Sequence, residues 1–263
     1  FLPTSYVIQQ PGPVIDTLGT SQNADGDEVP LITVPDKRER SSAGRLDLLT
    51  VQVVGNRERT PSWIELATAW FDPSRAVVPI DRIFPAGVTT DQRNAENELL
   101  MVDSQQEATA AALEQMGYQV TRQVRIMNVQ EDAAAEGLLE EGDVIVAVDG
   151  TGATSTAAVR DAVQEGGGAA VSLEIERDGR ARTVDVTPRR TTSEGTTTFI
   201  LGVTLQNAFV FPIDVEIQLN DVGGPSAGMM FALGIIDKLS DGDLTGGEHI
   251  AGTGTIDADG NVG

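Results

Sequence analysis

An apolar run near the end of the chain constrains the fold more than any other feature. Residues 229–236 are apolar apart from one glycine, and they follow Gly-Pro-Ser-Ala-Gly at 224–228. A helix that is apolar on every side is buried, so these residues predict a helix at the centre of a core. The N-terminus of such a helix carries unpaired backbone N–H groups and the positive end of the helix dipole.

Ser226 is expected at this helix N-terminus as a buried residue, and two interpretations fit it. As a nucleophile, Ser226 would attack a carbonyl carbon while nearby N–H groups hold the oxyanion that forms. As a structural residue, it would only cap the helix, because serine is a favoured N-cap.

Three features together resemble the proteolytic domain of Lon-type serine proteases: Gly-Pro-Ser-Ala-Gly, the apolar helix, and Ala-Gly-Thr-Gly-Thr-Ile at 251–256. In that family the serine of Pro-Ser-Ala-Gly is the nucleophile and a later lysine is the base. The resemblance implies that Ser226 is catalytic and that Thr253 orients the dyad. It also implies that the oxyanion is positioned by the segment containing Gly224, Ala227 and Gly228.

The lysine of the dyad does not map onto this chain, because the sequence ends at Gly263, where the segment leading to that lysine should begin. Gly223 also stands where many Lon proteases have an aspartate. Lys238 lies twelve positions after Ser226 on the same predicted helix, roughly 18 Å along its axis, and is expected to be a solvated cation at the helix end. Lys37, the other lysine, lies in a polar loop.

The missing lysine has two explanations. Either the natural protein continues past Gly263 and supplies the lysine, or the segment is inactive. A third interpretation pairs Ser226 with His249, the only histidine, as a Ser-His hydrolase. Against it, lone histidines in glycine-rich loops are usually just exposed.

Composition excludes several classes of function. The net charge of −22 and the isoelectric point near 4.2 argue against nucleic acid and against anionic lipid surfaces as partners. The chain has no cysteine and one histidine, which excludes disulfides and argues against zinc. No apolar run approaches the roughly 18 residues of a membrane span.

No cofactor and no metal are expected. The sequence has no Gly-x-x-x-x-Gly-Lys-Ser/Thr motif, so it cannot bind ATP as P-loop proteins do. The fragment 23–28 begins like a calcium loop, but Glu28 replaces the turn glycine and no glutamate closes the loop. The fragment 257–261 is better interpreted as a hairpin turn.

The middle of the chain predicts a separate module. We expect strands at 124–129 and 141–150, a short helix at 132–138 closed by Gly137, and a capped helix at 155–165. A hairpin should follow, with its turn at Asp178-Gly179. The pattern Ala-x-x-x-Gly-Leu-x-x-x-Gly-Asp-Val-Ile-x-x-Val-Asp-Gly at 133–150, with these elements, resembles a PDZ domain of the bacterial protease type over residues 121–189.

PDZ domains take an extended peptide, often a C-terminus, as an added strand at a sheet edge. Their carboxylate-holding loop has the form apolar-Gly-apolar before the first groove strand, which Met116-Gly117-Tyr118 matches. The alternative is that Gly117 closes a helix at 103–116 as its C′ glycine.

The first 120 residues carry weaker signals of secondary structure and function. Residues 46–54 predict a strand, and residues 60–71 predict a helix with Thr60 as cap and Pro61 at its first position. The aromatics of this helix are expected in the core or an interface. Residues 6–29 are expected to wrap the surface or to lead from a membrane anchor. Residues 101–113 resemble a helix in the first half of the Lon-like protease region.

Together the pieces resemble the membrane-tethered, PDZ-containing, ATP-independent Lon-like serine proteases of bacteria. The resemblance implies an α/β (α+β) Lon-type protease domain with an inserted β-rich PDZ domain. The domains expected are an N-terminal extracytoplasmic extension after a membrane anchor, the first part of the protease domain, the PDZ domain, and the second part of the protease domain, at 1–43, 44–120, 121–189 and 190–263.

The function implied is that of a serine endopeptidase with a Ser-Lys dyad, whose PDZ domain binds polypeptide substrates. The resemblance places the protein at the cell membrane as a single-pass protein, with this segment outside the cytoplasm. It also implies a homo-oligomer, as Lon-type protease domains usually form hexamers. The missing lysine keeps an alternative open, a non-catalytic PDZ adaptor with a degenerate protease fold.

Overall fold

Two units share the chain, and one is inserted into the other along the sequence. The first unit comprises Phe1–Gln119 and Pro212–Gly263, and the second comprises Val120–Phe211. A computed structural model describes residues 4–23, 26–35, 43–85, 87, 89–193, 196–220, 222–241 and 243–263.

The elements follow one another along the chain. The first part of the first unit has β1 Tyr6–Asp16, β2 Thr20–Gln22, β3 Glu28–Pro30, β4 Ile32–Thr33, β5 Arg45–Val54, α1 Trp63–Trp70, β6 Ala76–Pro79, α2 Ile80–Ile83 and α3 Thr90–Gln115. The second unit has β7 Thr121–Val129, β8 Val144–Val148, β9 Thr151–Gly152, α4 Thr156–Glu165, β10 Val171–Arg177, β11 Arg180–Val186, β12 Arg189–Ser193, β13 Thr196–Ile200 and β14 Val203–Val210. The first unit then resumes with β15 Glu216–Ile217, α5 Gly228–Leu239 and β16 His249–Gly252.

The first unit contains a four-stranded sheet in the order β16-β5-β1-β6. Strand β5 is antiparallel to β1 and parallel to β16. Strand β1 is an inner strand with Val7 and Ile8 buried, so the expectation that residues 6–29 wrap the surface is wrong for this strand. Its prolines do not prevent pairing, because the register shifts between Pro11 and Val14 and a bulge tolerates proline.

The apolar helix predicted at 229–236 is α5, and it is the centre of the first unit. None of its residues is exposed. Its apolar side chains pack against α3, β4 and β5, in a cluster that includes Leu46 and Met101. The helix approaches β4 so closely that a Cβ at Gly234 would lie 2.7 Å from Cδ1 of Ile32, so this position requires a residue without a side chain.

Lys238, in the last turn of α5, is only 6% exposed. The expectation of a solvated lysine at this helix end is therefore wrong. The physical reason is that the following loop folds back over the helix end, where the carboxylate of Asp237 accepts a hydrogen bond from the N–H of Leu244 at 2.7 Å.

The helices predicted at 60–71 and 103–116 are present, but each begins at a different residue from the one predicted. Helix α1 begins after Ser62, whose side chain forms a capping box with Glu65, and not after Thr60. Thr60 instead accepts a hydrogen bond from the N–H of Thr4. Helix α3 begins thirteen residues before the predicted 103, at Thr90. Its first turns are polar and exposed, so they carry no apolar periodicity that would predict them.

The second unit is built on a sheet in the order β11-β10-β8-β7-β14, with β9 paired to β8. The predicted hairpin is confirmed: β10 and β11 pair from Val171↔Val186 to Arg177↔Arg180, and Asp178 and Gly179 both have positive φ, as a type I′ turn requires. The helix predicted at 155–165 is confirmed as α4, with Ser155 as its N-cap.

Two features of the second unit differ from the prediction. Residues 132–138 form turns and no helix, because Asp132 and Gly137 both have positive φ and a stretch this short cannot nucleate a helix on its own. The unit also extends past residue 189 to Phe211, because β14 pairs along the whole of β7.

A buried ion pair joins β10 to the turn before β8. Arg177 contacts the two carboxylate oxygens of Asp143 at 2.6 and 2.7 Å and donates to the carbonyl of Leu138. Burial of Asp143 acts to raise the pKa of its carboxyl, but the hydrogen bonds from Arg177 and from the N–H of Glu140 outweigh it and hold that pKa below its ordinary value.

Among the described residues, no helix combines the length and the apolar character needed to span a bilayer.

We predict that Asp143→Asn destabilises the second unit, by about 3 kcal/mol, because it removes the fully buried carboxylate of the pair and leaves Arg177 only the more exposed carboxylate of Glu140. Hydrogen exchange read by mass spectrometry on β8 and β10 measures this, and Asp185→Asn, an exposed carboxylate of the same unit, is the control. Equal protection in the two variants would contradict the prediction.

The same pair predicts a pH dependence. Since the pKa of Asp143 is lower in the folded state than in the unfolded state, the stabilisation is fully present above the unfolded value of about 3.9 and is lost as the pH falls through the folded value. Protection of β8 and β10 should fall below about pH 4, and Asp143→Asn should show a smaller change over that range.

Candidate functional site

Ser226 lies in a turn just before α5 and not on the helix. The N-cap of α5 is Ala227, and no side chain caps the helix, so the structure does not support the interpretation of Ser226 as a capping residue. The residue is exposed, contrary to the expectation that it is buried. The reason is that the chain enters α5 through a turn on the surface, and burial begins only at Ala227.

Helix α3 holds the turn that carries Ser226. The N–H of Gly224 donates to the carbonyl of Asn97 at 2.9 Å, and Oγ of Ser104 donates to the carbonyl of Pro225 at 2.9 Å. A Cβ at Gly228 would lie 2.8 Å from Oγ of Ser104. Of the predicted site glycines, Gly228 therefore lets the turn lie against α3, whereas Gly224 has open space around it and is favoured by its φ of 93°.

The segment after β16 holds the other side of the turn. Oγ1 of Thr253 and the N–H of Gly254 both donate to the carbonyl of Ser226, at 2.8 and 2.7 Å. The N–H of Met229 donates to the carbonyl of Gly254 at 3.0 Å. Thr253 thus contacts Ser226 as predicted, but through the backbone carbonyl, so it positions the serine and does not touch its hydroxyl.

These tethers orient two backbone N–H groups. In a trans peptide the C=O and the following N–H point in opposite directions. Because α3 holds the carbonyl of Pro225, the N–H of Ser226 is directed away from α3. Because the Thr253 segment holds the carbonyl of Ser226, the N–H of Ala227 is directed away from that segment. Neighbouring N–H groups with fixed orientation are what an oxyanion needs, and here they flank the serine.

Ser226, Ala227 and Thr253 line a cavity of about 1020 Å³ whose opposite wall is formed by β1 and β5. The charged residues among its described lining are two arginines, Arg75 and Arg93. No lysine, histidine or carboxylate belongs to that described lining, so the structure brings the serine, its neighbour and the threonine together without a base.

The candidate bases lie elsewhere. Lys238 is at the far end of α5. His249 begins β16 and is exposed, four residues before Thr253 and thus roughly 13 Å along an extended strand. This placement argues against the Ser-His interpretation. Lys37 lies outside the described residues.

The acidic fragments do not form a metal site where they are described. Asp257 accepts hydrogen bonds from the N–H groups of Asp259 and Asn261, which makes the turn expected there. The fragment 23–28 lies partly outside the described residues. Within the described part of the chain, no group of three His, Asp or Glu side chains is placed to hold a metal ion.

The second unit has its own candidate site, between β14 and α4. Strand β14 ends the sheet, with β7 as its neighbour on one side. The side chain of Asn207 on β14 reaches α4, where its Oδ1 accepts a hydrogen bond from the N–H of Thr156 at 2.9 Å. The edge strand β14 therefore lies beside α4, and an edge strand is where an extended peptide is added in strand-addition binding.

The loop at the start of β14 is built to present N–H groups. The carbonyls of Leu201 and Gly202 accept hydrogen bonds from Ala135 and Gln130 at 3.0 and 2.9 Å, so the N–H groups of Gly202 and Val203 point the opposite way. Gly202 has a φ of 78°, and a Cβ there would collide with Ala133. Only glycine fits this position, and the loop has the form apolar-Gly-apolar.

The family model for the PDZ domain matches residues 101–187. The chain contains a PDZ domain. The match ends before β14, although β14 belongs to the same unit by strand pairing. No curated protein matches the chain.

Three solved structures, two of them described as PDZ domains, align with part of the chain. The PDZ domain of the SdrC-like protein from Listeria monocytogenes is 25% identical, with 31% of this chain and 85% of that chain covered and a TM-score of 0.29. That of the SdrC-like protein from Listeria innocua is 23% identical, with 32% and 92% covered and a TM-score of 0.29. A protein from Geobacillus thermodenitrificans is 28% identical, with 31% and 94% covered and a TM-score of 0.28.

Of the two interpretations of Met116-Gly117-Tyr118, the structure supports the helix end. Gly117, in Met116-Gly117-Tyr118, has a φ of 84° and closes α3, because its N–H and that of Tyr118 donate to the carbonyls of Glu114 and Leu113. The sequence does carry the signal at Leu201-Gly202-Val203. It was missed because the groove strand that it precedes comes last in the unit along the chain, not first.

Ser104 and Asn97 are site residues that sequence reasoning also missed. Their only signal is their spacing: with Met101 they lie at positions i, i+4 and i+7 of α3 and so share one face. Nothing in the sequence pairs that face with residues 224–228.

We predict that Ser104→Ala loosens the turn that carries Ser226. The change removes the donor to the carbonyl of Pro225 in a partly buried contact, which costs about 1 kcal/mol. Faster hydrogen exchange of the amides at 224–228 measures it. Thr109→Val is the matched control, because Thr109 is a buried hydroxyl on the same helix that donates only within it, to Gln105; an equal effect of both variants would refute the assignment.

Proposed function

We propose that the protein is an ATP-independent serine endopeptidase whose PDZ domain binds polypeptide substrates. The observation that carries the proposal is the turn at Pro225, Ser226 and Ala227. Its two carbonyls are tethered, that of Pro225 by Ser104 and that of Ser226 by Thr253. The serine is exposed in a cavity large enough for a peptide, and it lies beside N–H groups suited to an oxyanion.

In the proposed reaction, Oγ of Ser226 attacks the carbonyl carbon of the scissile peptide bond, and its proton passes to a base. The N–H groups of Ser226 and Ala227 stabilise the oxyanion. When the C–N bond breaks, the base returns the proton to the leaving amine, and water then hydrolyses the acyl-enzyme. Thr253 and Ser104 keep the serine in place.

The proposed base is a lysine that lies beyond Gly263 in the natural protein. Such a lysine acts as a base when burial lowers its pKa and keeps it neutral. The lack of a base among the described residues of the cavity lining is consistent with this proposal. It also favours the second candidate, a PDZ adaptor with a degenerate protease fold.

In either case the PDZ domain is proposed to bind a peptide by strand addition. The peptide would pair with the outer edge of β14, beside α4, and its C-terminal carboxylate would accept hydrogen bonds from the N–H groups of Gly202 and Val203. The proposal also includes, from the resemblance, a single-pass membrane anchor before Phe1, a location outside the cytoplasm, and assembly into a hexamer.

We predict that the natural chain, carried past Gly263 to its own C-terminus, cleaves casein without ATP, and that Ser226→Ala abolishes the cleavage. Ser5→Ala, an exposed serine elsewhere in the same unit, is the control and should cleave normally. His249→Ala should also leave the rate unchanged. Cleavage that survives Ser226→Ala would exclude this site, and no cleavage by the natural chain would favour the adaptor.

Peptide binding gives a separate prediction. A pool of random hexapeptides with free carboxylates should bind the chain about tenfold more tightly than the same pool with amidated ends, because the amide loses the charge-assisted hydrogen bonds. Gly202→Ala should remove the difference, whereas Gly179→Ala should retain it, although Gly179 also has a positive φ. Capture followed by mass spectrometry measures both, and equal binding of the two pools would contradict the carboxylate site.

A further inference from the structure

Helix α1 has two apolar faces, and only one of them is packed. Leu66 and Ala69 are buried against Ile8 and neighbouring residues of the sheet. The second face is an aromatic stripe formed by Trp63, Ile64, Ala67, Trp70 and Phe71, all of them exposed.

The aromatic stripe is continuous. At 100° per residue its five positions fall within an arc of about 120° on the helix. Its four large side chains are 57%, 65%, 76% and 86% exposed, in the order Trp63, Ile64, Trp70 and Phe71. Helices that are apolar on nearly every side are normally buried, so this face is expected to be covered by a binding partner.

The stripe is held rigidly on its domain. The capping box of Ser62 and Glu65 fixes the start of α1, and the packed face fixes its rotation. The exposed aromatics are therefore not a fraying end of the chain but part of a defined surface.

The charge around the stripe differs from that of the whole chain. The chain has a net charge of −22. The segment 57–75, which contains the stripe, has three arginines and three carboxylates and so no net charge. The segment that carries the stripe therefore adds no net negative charge of its own at a membrane surface.

We propose that the aromatic stripe of α1 docks on the interface of a lipid bilayer. Tryptophan is enriched at the level of lipid headgroups, where its ring is apolar and its N–H stays hydrated. The exposed face of α1 carries aromatic and aliphatic residues, the types that interfacial helices bury at the boundary of headgroups and acyl chains. This site is independent of Ser226 and of the peptide groove.

A second copy of the chain is a poorer occupant. Two copies that met through this stripe would bring together two chains with a net charge of −22 each, and like charges repel. A zwitterionic bilayer has no net charge to repel the chain, and it covers an apolar patch of any outline.

The chain carries its own probe of this site, because its two tryptophans are both in the stripe. With vesicles of phosphatidylcholine, we expect the tryptophan emission to shift to shorter wavelength and to be quenched by bromine-labelled acyl chains. The protein should also float with the vesicles on a density gradient.

Ile64→Ser with Phe71→Ser keeps both tryptophans and removes two exposed apolar side chains, so the fold should be retained while vesicle affinity falls by roughly tenfold or more. Val146→Ser is the matched control, an apolar residue that is 50% exposed in the PDZ domain; it should bind like the parent chain.

Three results would overturn the proposal. The first is an emission maximum that does not respond to vesicles. The second is a concentration-dependent dimer that the double variant abolishes, which would identify a second copy as the occupant. The third is binding that requires anionic lipid and disappears in high salt, which would indicate an electrostatic site elsewhere on the chain.

Discussion

Burial of α5 is the constraint on which the first unit depends. Its side chains reach α3 on one side and the strands β4 and β5 on the other, so both parts of the split unit meet at one helix. Because interiors are close-packed, its position also fixes the turn that precedes it. The direction of the chain at Ser226 is thus set by the packing of the core beneath it. The hydrogen bonds from Ser104 and Thr253 then fix the orientation of the peptide groups in the turn.

Much of the fold could be predicted because its signals are local. The buried helix α5, the cap of α4 and the turn at Asp178-Gly179 each follow from a few adjacent residues. The predictions that failed concern features without a local signal. The start of α3 is polar, β1 contains prolines that a bulge accommodates, and Lys238 is buried by a loop that folds back from outside the helix. The residues of each segment do not predict these features, because each feature depends on contacts with another segment.

The residues of the candidate sites also differ in whether a local signal identifies them. Ser226 and Thr253 could be identified because each lies in a short, distinctive segment, and the structure brings them together. Ser104 and Asn97 belong to a helix more than a hundred residues earlier in the chain, and only the packed unit pairs them with the turn. For the peptide groove, the residues Leu201-Gly202-Val203 have the expected form, but recognising them requires the spatial order of the strands, since β14 lies beside β7 and is the last strand of its unit.

The pairing of β7 with β14 also determines how the second unit is joined to the chain. Thr121 at the start of β7 is paired with Val210 at the end of β14, so the chain enters and leaves the unit about 5 Å apart. That separation is what a tight turn between two antiparallel segments spans. The whole insertion therefore occupies the place of a single loop. A lineage can acquire or discard it at one crossing point, and a protein engineer can replace it with a short turn or with another domain whose ends lie side by side.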